Sequence, residues 1–281
     1  MKLRNLLILN LLCIGMTIHA QDPKDRYADL RHYYLGHFEP DSIVYTLGTE
    51  VNLREKPSVQ GKVVAKLPIA TKVIIEKEWT DSLTLNGWRA AWCQVRVGNG
   101  ATAQKGYIWG GFLTSLCFKS QKDKNIWFIA GISKFNYDKM DMTLQLRAVK
   151  NGVELSKIEF KTVGDYGYMI GGQSNGNPNF AGVEESLGIK MIYEACDYAQ
   201  GEYILLWDGK KLIYGAEGVS ASSAEVFYSS TSILLPTDKG GKKDQLIVRT
   251  ETAQFNEKKN DFDKPKIENK VFRWQNGKLV N

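Results

Sequence analysis

A thiol nucleophile needs a histidine to take its proton and a third group to orient that histidine. Beyond its first twenty residues the chain has three cysteines, Cys93, Cys117 and Cys196, and two histidines, His32 and His37, both upstream of all three thiols. That order and that shortage of histidine argue against a cysteine or serine triad. The histidines stand five residues apart, which does not place them on one helical face as a ligand pair. No Cys-x-x-Cys pair or Cys/His cluster has metal-ligand spacing, and the stretch KGGKKDQ, residues 239–245, lacks the spacing of a phosphate loop. The acids Glu184 and Glu185, and Asp261 with Asp263, have the residue types of a glycosidase or calcium site; read more plainly, they are solvated loop acids. The expectation is a chain with no catalytic residues, no metal and no cofactor.

Cysteine arithmetic adds one structural expectation. Three thiols allow at most one intramolecular disulfide. Cys93 alternates with Val95 and Val97 on one face of a strand and reads as a buried thiol, so a bridge, if one forms, joins Cys117 to Cys196.

The elements that would carry these residues begin with a targeting segment. Lys2 and Arg4, the apolar run Leu6 to Met16, and Ala20 before Gln21 follow the order of a signal peptide, residues 1–20, cleaved after Ala20. Cys13 suggests lipidation, but Leu12 before it is bulky where a small residue is favoured. The apolar run is shorter than the roughly 20 residues of a membrane-spanning helix, and no later stretch approaches it. The expected location is periplasmic or extracellular, without a membrane span.

A length of 281 residues with 43% hydrophobic and 24% charged side chains suggests two globular domains. The formal charge of +6 falls by two with the leader and is spread along the chain. The lysines from Lys239 to Lys266 interleave with acids and read as a solvated mixed face, not a nucleic-acid surface.

Within residues 21–40, Asp22, Pro23, Tyr27, Leu30 and Tyr34 predict one short amphipathic helix stopped by Gly36 and docked on a neighbouring domain. Residues 41–116 are all strand and turn: VNLRE, VVAKL, TKVIIEKEW, WRAAWCQVRV and YIWGGFL predict five short strands, with residues 81–87 lengthening one loop. In VNLRE, Val51 and Leu53 face inward, and Pro57 ends the pairing. Residues 119–281 are again strand-rich. Asn151-Gly152, Asp208-Gly209 and Asn276-Gly277 predict hairpins, and YGYMIGGQSNGNPNFAG reads as a long loop. The fold class is mainly β: a small SH3-like barrel followed by an antiparallel β domain, a sandwich or a curved sheet.

VNLREKPS, GKVVAKLPIATKVII, WCQVRV and GYIWGGFL, in this order and spacing, resemble the bacterial SH3-like (SH3b) domain over residues 46–115. Two departures stand out: Ile69-Ala70 replaces the usual turn glycine before Thr71, and residues 81–87 are inserted. The resemblance implies a module that binds peptidoglycan peptides or another envelope ligand. On WCQVRV the face opposite Cys93, Val95 and Val97 carries Trp92, Gln94 and Arg96, so another domain or a ligand must cover Trp92. Tyr107 and Trp109 of the closing strand share a side. Trp92, Arg96, Tyr107 and Trp109 are therefore the candidate ligand-binding residues. Their partner would be a peptidoglycan fragment or an envelope protein, held by an exported, non-catalytic binding or scaffold protein. The alternatives are a glycan hydrolase with its acids in the C-terminal part, or a structural interaction module.

Overall fold

The computed structural model describes Asp22, Arg26, Leu30 and residues 33–164, 167–195 and 197–281. The expected signal peptide and most of the expected helix lie outside the described residues. Where that helix was to end, Tyr33–Tyr34 instead form a strand, β1. Helical spacing of a few apolar residues is a weak preference, and pairing with an open sheet edge overrides it.

Seven strands follow: β2 (Ile43–Thr46), β3 (Glu50–Arg54), β4 (Val63–Pro68), β5 (Lys72–Leu85), β6 (Trp88–Val97), β7 (Gln104–Trp109) and β8 (Leu113–Thr114). They form one open antiparallel sheet, β4-β3-β7-β6-β5-β2-β8. It coils around Val44, Val51, Leu53, Val73, Ile75, Cys93, Val95 and Ile108. Val51 and Leu53 point inward as the alternation requires, and β3 stops at Arg54 ahead of Pro57. Residues 81–87 are not a longer loop. Ser82 to Leu85 continue β5, pairing with Ala91 to Trp88 of β6, and Asn86 and Gly87, at φ 52° and 74°, close a two-residue turn. The insertion is a hairpin arm.

The second sheet runs β12-β11-β10-β9, from β9 (Cys117–Lys119), β10 (Ile126–Asn136), β11 (Asp141–Lys150) and β12 (Val153–Thr162). Asn151-Gly152 makes the expected β11–β12 turn with both residues at positive φ. Both faces of this sheet are used. Phe128, Leu144, Leu146 and Ala148 enter the largest core, while Ile129 and Val149 pack against Leu47 and Ile69 of the first sheet. That contact accounts for the missing turn glycine. Ala70 takes φ 63°, a conformation that costs an L-residue about 1 kcal/mol, and Ile69 beside it, 1% exposed, anchors one sheet to the other.

The third sheet comprises β1 with β13 (Met169–Ser174), β14 (Glu185–Ile192), β15 (Gln200–Trp207), β16 (Leu212–Ser223), β17 (Phe227–Leu234), β18 (Gln245–Asn256), β19 (Asp261–Phe262), β20 (Lys266–Gln275) and β21 (Lys278–Val280). Tyr33 and Tyr34 pair with Ile170 and Met169. Its first strands stack on the second sheet as a β-sandwich, with Phe128 edge-on to Trp207 and Phe160 tilted against Tyr203. About a third of the expected Gly/Asn loop, Met169–Ser174, is strand β13; near its other end Phe180 packs on Trp274, and the Trp274 indole N–H donates to the Ala181 carbonyl, 2.8 Å away. Asn276-Gly277 makes its two-residue turn. Asp208-Gly209 does not: Trp207 pairs with Leu212, leaving four loop residues, and the Asp208 carboxylate accepts from the Lys210 and Lys211 amides. The Asp side chain substitutes for the missing backbone turn.

Candidate ligand-binding face of the first sheet

The four candidate residues fall on one face of β6 and β7, but they do not form one exposed patch. Trp92 pairs directly with Trp109, and Gln94 with Tyr107. Trp92 is 5% exposed and Trp109 4%. Both belong to the core that continues through Trp88, Leu35 and Leu116 into the β-sandwich. The Trp109 indole N–H donates to the carbonyls of Leu83 and Ala90, at 2.9 and 3.0 Å, so the hairpin arm supplies part of the cover. Of the two covers expected for Trp92, another part of the chain or a ligand, the structure has the first: alternation tells which face a side chain takes, but not what lies over that face.

Further along the same face the environment turns polar. Tyr107 is half-buried, with Arg54 of β3 opposite it. Arg54 donates to the Gly61 carbonyl at 2.7 Å. Arg96 stands four residues from Trp92, roughly 13 Å along an extended strand, and its guanidinium lies 3.7 Å from the Glu76 carboxylate. Lys105 reaches the same carboxylate at 2.7 Å. The accessible part of the candidate site is therefore a strip of Tyr107, Gln94, Arg54, Arg96, Lys105 and Glu76, with the indoles buried at one end.

Among the described residues, the other candidate reactive groups are buried or already engaged. Cys93 is fully buried, and burial, with Glu78 adding a smaller effect, pushes its thiol up to about 12. Cys117 is a free, half-buried thiol, raised by burial, which removes the expected bridge; Cys196 lies outside the described residues. Of the carboxylate pairs, Asp263 is held by Asn256 and Lys259 at the surface. Glu184 and Glu185 part company. Glu184 meets Lys122 at the surface, whereas Glu185 is 1% exposed and is not a loop acid in water. Its carboxylate accepts from the Ser120 and Ser174 hydroxyls and from the Gln121 and Lys122 amides. It therefore ties the β9–β10 loop of the second sheet to the third.

Sequence reasoning missed that role, although one signal lay beside it. Gly172-Gln173-Ser174-Asn175-Gly176 has the spacing of a hydrolase nucleophile turn. Ser174, however, ends an antiparallel strand with no helix after it, and its hydroxyl is committed to Glu185.

Residues 49–114 match the family model of the bacterial SH3 domain. The segment β3–β8 is thus an SH3b domain, about a quarter of the chain, as VNLREKPS and GYIWGGFL indicated. No curated protein and no solved structure matches the chain, and no family is recognised in its C-terminal part. Among the described residues no helix is long and apolar enough to cross a membrane.

Proposed function

We propose that the chain is an exported, non-catalytic binding protein of the cell envelope, whose SH3b domain holds a peptidoglycan fragment or an envelope protein along the Tyr107–Arg96 strip. The observation that carries this reading is the SH3b match over residues 49–114, a module associated with cell-wall binding. The strip adds suitable chemistry: a tyrosine ring for contact area, and Arg54 and Arg96 for charge-assisted bonds to carboxylates. The burial of both described thiols and the engagement of Glu185 support a binding protein over a hydrolase.

Sedimentation with purified peptidoglycan tests the reading. Wild-type protein is expected to co-sediment, and Tyr107→Ala and Arg96→Ala to do so at least tenfold more weakly. Release of soluble muropeptides would overturn the non-catalytic assignment. Failure to co-sediment, with capture of an envelope protein instead, would shift the ligand from glycan peptide to protein.

A further inference from the structure

The outer edge of the third sheet carries a stretch of backbone without a partner strand. Strand β20 pairs along its inner side with β18, from Lys266 opposite Thr252 to Arg273 opposite Gln245. On its outer side the short β21 covers only Arg273 to Gln275. Lys266 to Phe272 therefore lack an outer strand over roughly 24 Å, at about 3.4 Å per residue. Lys266 to Lys270 are exposed, Ile267 at 54%.

Backbone groups alternate in direction along a strand, and two contacts fix which of them point outward here. The Trp274 N–H donates inward, to the Asp244 carbonyl at 2.9 Å. Gln275 and Lys278 flank the two-residue turn that brings β21 back along the outside of β20. Odd-numbered residues thus turn outward: Arg273 faces Val280 of β21, and beyond it Val271, Asn269 and Ile267 face no strand. Among the described residues, no group of the chain meets the N–H donors and carbonyls of these three.

An open edge of this kind takes up another strand, and its own sequence fits it. Two antiparallel copies centred on Asn269 place Asn269 opposite Asn269 and Ile267 opposite Val271, so the outward donors and carbonyls of both copies are satisfied. Other registers fail. Centring one residue to either side sets Glu268 against Glu268 or Lys270 against Lys270. Centring two residues away sets Asn269 against Pro265, which has no N–H, or against Arg273, whose outer side β21 already occupies.

The charges favour the centred register as well. Lysines on an edge ordinarily repel a second strand. The Lys270 ammonium lies 4.9 Å from the Phe272 ring, and Glu268 is held along the same face by Lys266 at 2.5 Å. In the centred pairing, Lys270 of each copy faces Glu268 of the other, an opposite-charge pair on both sides of the two-fold axis. We propose that the chain self-associates through β20 as an antiparallel pair centred on Asn269, which makes the third sheets of two copies continuous. A pairing zone this short buries less than the standard interface of about 1,600 Å², so the dimer is weak and reversible, with a Kd of roughly 10–100 µM. It does not depend on what the SH3b domain holds.

Sedimentation equilibrium on the whole chain, between about 1 and 500 µM, tests it, and a reversible monomer–dimer equilibrium is expected. Asn269→Pro removes an outward N–H and leaves the ladder with β18 its bonds, so it should weaken dimerisation at least about tenfold without unfolding the sheet, as a thermal melt checks. Glu268→Lys and Lys270→Glu should each self-associate at least about tenfold more weakly, because like charges then face each other. An equimolar mixture of these two variants should regain wild-type association, every facing pair being opposite in sign again. A misfolded variant would give no such recovery. The proposal is overturned by a protein that stays monomeric throughout that range, by a folded Asn269→Pro that dimerises like wild type, or by a mixture that associates no better than its components.

Discussion

Phe135 of β10 donates its backbone N–H to the carbonyl of Asn86, at the tip of the SH3b hairpin arm, over 3.2 Å. A β-carbon on the next residue, Gly87, would lie 2.0 Å from the Phe135 carbonyl oxygen. The arm thus docks by close backbone approach, at a residue held at φ 74°. Gly87→Ala should cost at least about 2 kcal/mol, from the left-handed backbone and the clash together. Differential scanning calorimetry is expected to register a melting temperature lower by at least about 4 °C.

Trp92 belongs to the shared core, and its removal is expected to act on stability instead of recognition. Trp92→Ala should cost about 3–5 kcal/mol, the range for deleting a large buried aromatic. Peptidoglycan affinity measured well below the melting temperature should stay within twofold of wild type. A loss of affinity in a fully folded Trp92→Ala protein would put the indole back into the ligand site.

Glu185 is a buried carboxylate serving four donors from two sheets. Glu185→Ala leaves two hydroxyls and the Gln121 amide without their acceptor, while the Lys122 amide keeps Ser120 Oγ at 3.1 Å; the loss should be about 3–5 kcal/mol by comparison with broken buried charge networks. Glu185→Gln keeps an acceptor oxygen and should lose less. Urea denaturation of both variants gives the comparison; equal midpoints for wild type and Glu185→Ala would refute it.

The Cys93 thiol makes stability depend on alkaline pH. In the unfolded chain it ionises near its ordinary value of 9.0, whereas in the fold burial holds it protonated until about 12. A group raised by folding contributes its full stability below the unfolded value. As pH rises above 9 towards 12, that contribution is lost at up to about 1.4 kcal/mol per pH unit. Chemical denaturation at pH 8, 9 and 10.5 should show a steeper alkaline decline for wild type than for Cys93→Ala. Parallel declines would mean that the thiol ionises equally well in the folded protein.

Local pattern was a sound guide wherever one strand and its turn decide the outcome. The alternation of Val51 and Leu53, the pairs Asn151-Gly152 and Asn276-Gly277, the buried Cys93 and the order of the SH3b segments were all legible, because side-chain period and turn chemistry act over a few residues. The hairpin arm was legible too, since Ser-Leu-Thr-Leu before Asn-Gly uses the same device; reading the segment only as an insertion in a family pattern hid it. Other features depend on partners far along the chain. Tyr33 and Tyr34 become strand because β13 presents an open edge more than 130 residues later. Ile69 stands in the family turn because Ile129 and Val149 pack on it from the second sheet, while Ala70 keeps the turn at φ 63°. Trp92 and Trp109 are buried because the arm and the β-sandwich core close over a face that alternation alone leaves to solvent. Sequence by itself determined which side chains share a face; the packing of one sheet on another, a long-range matter of buried area and edge pairing, decided which of those faces water can reach.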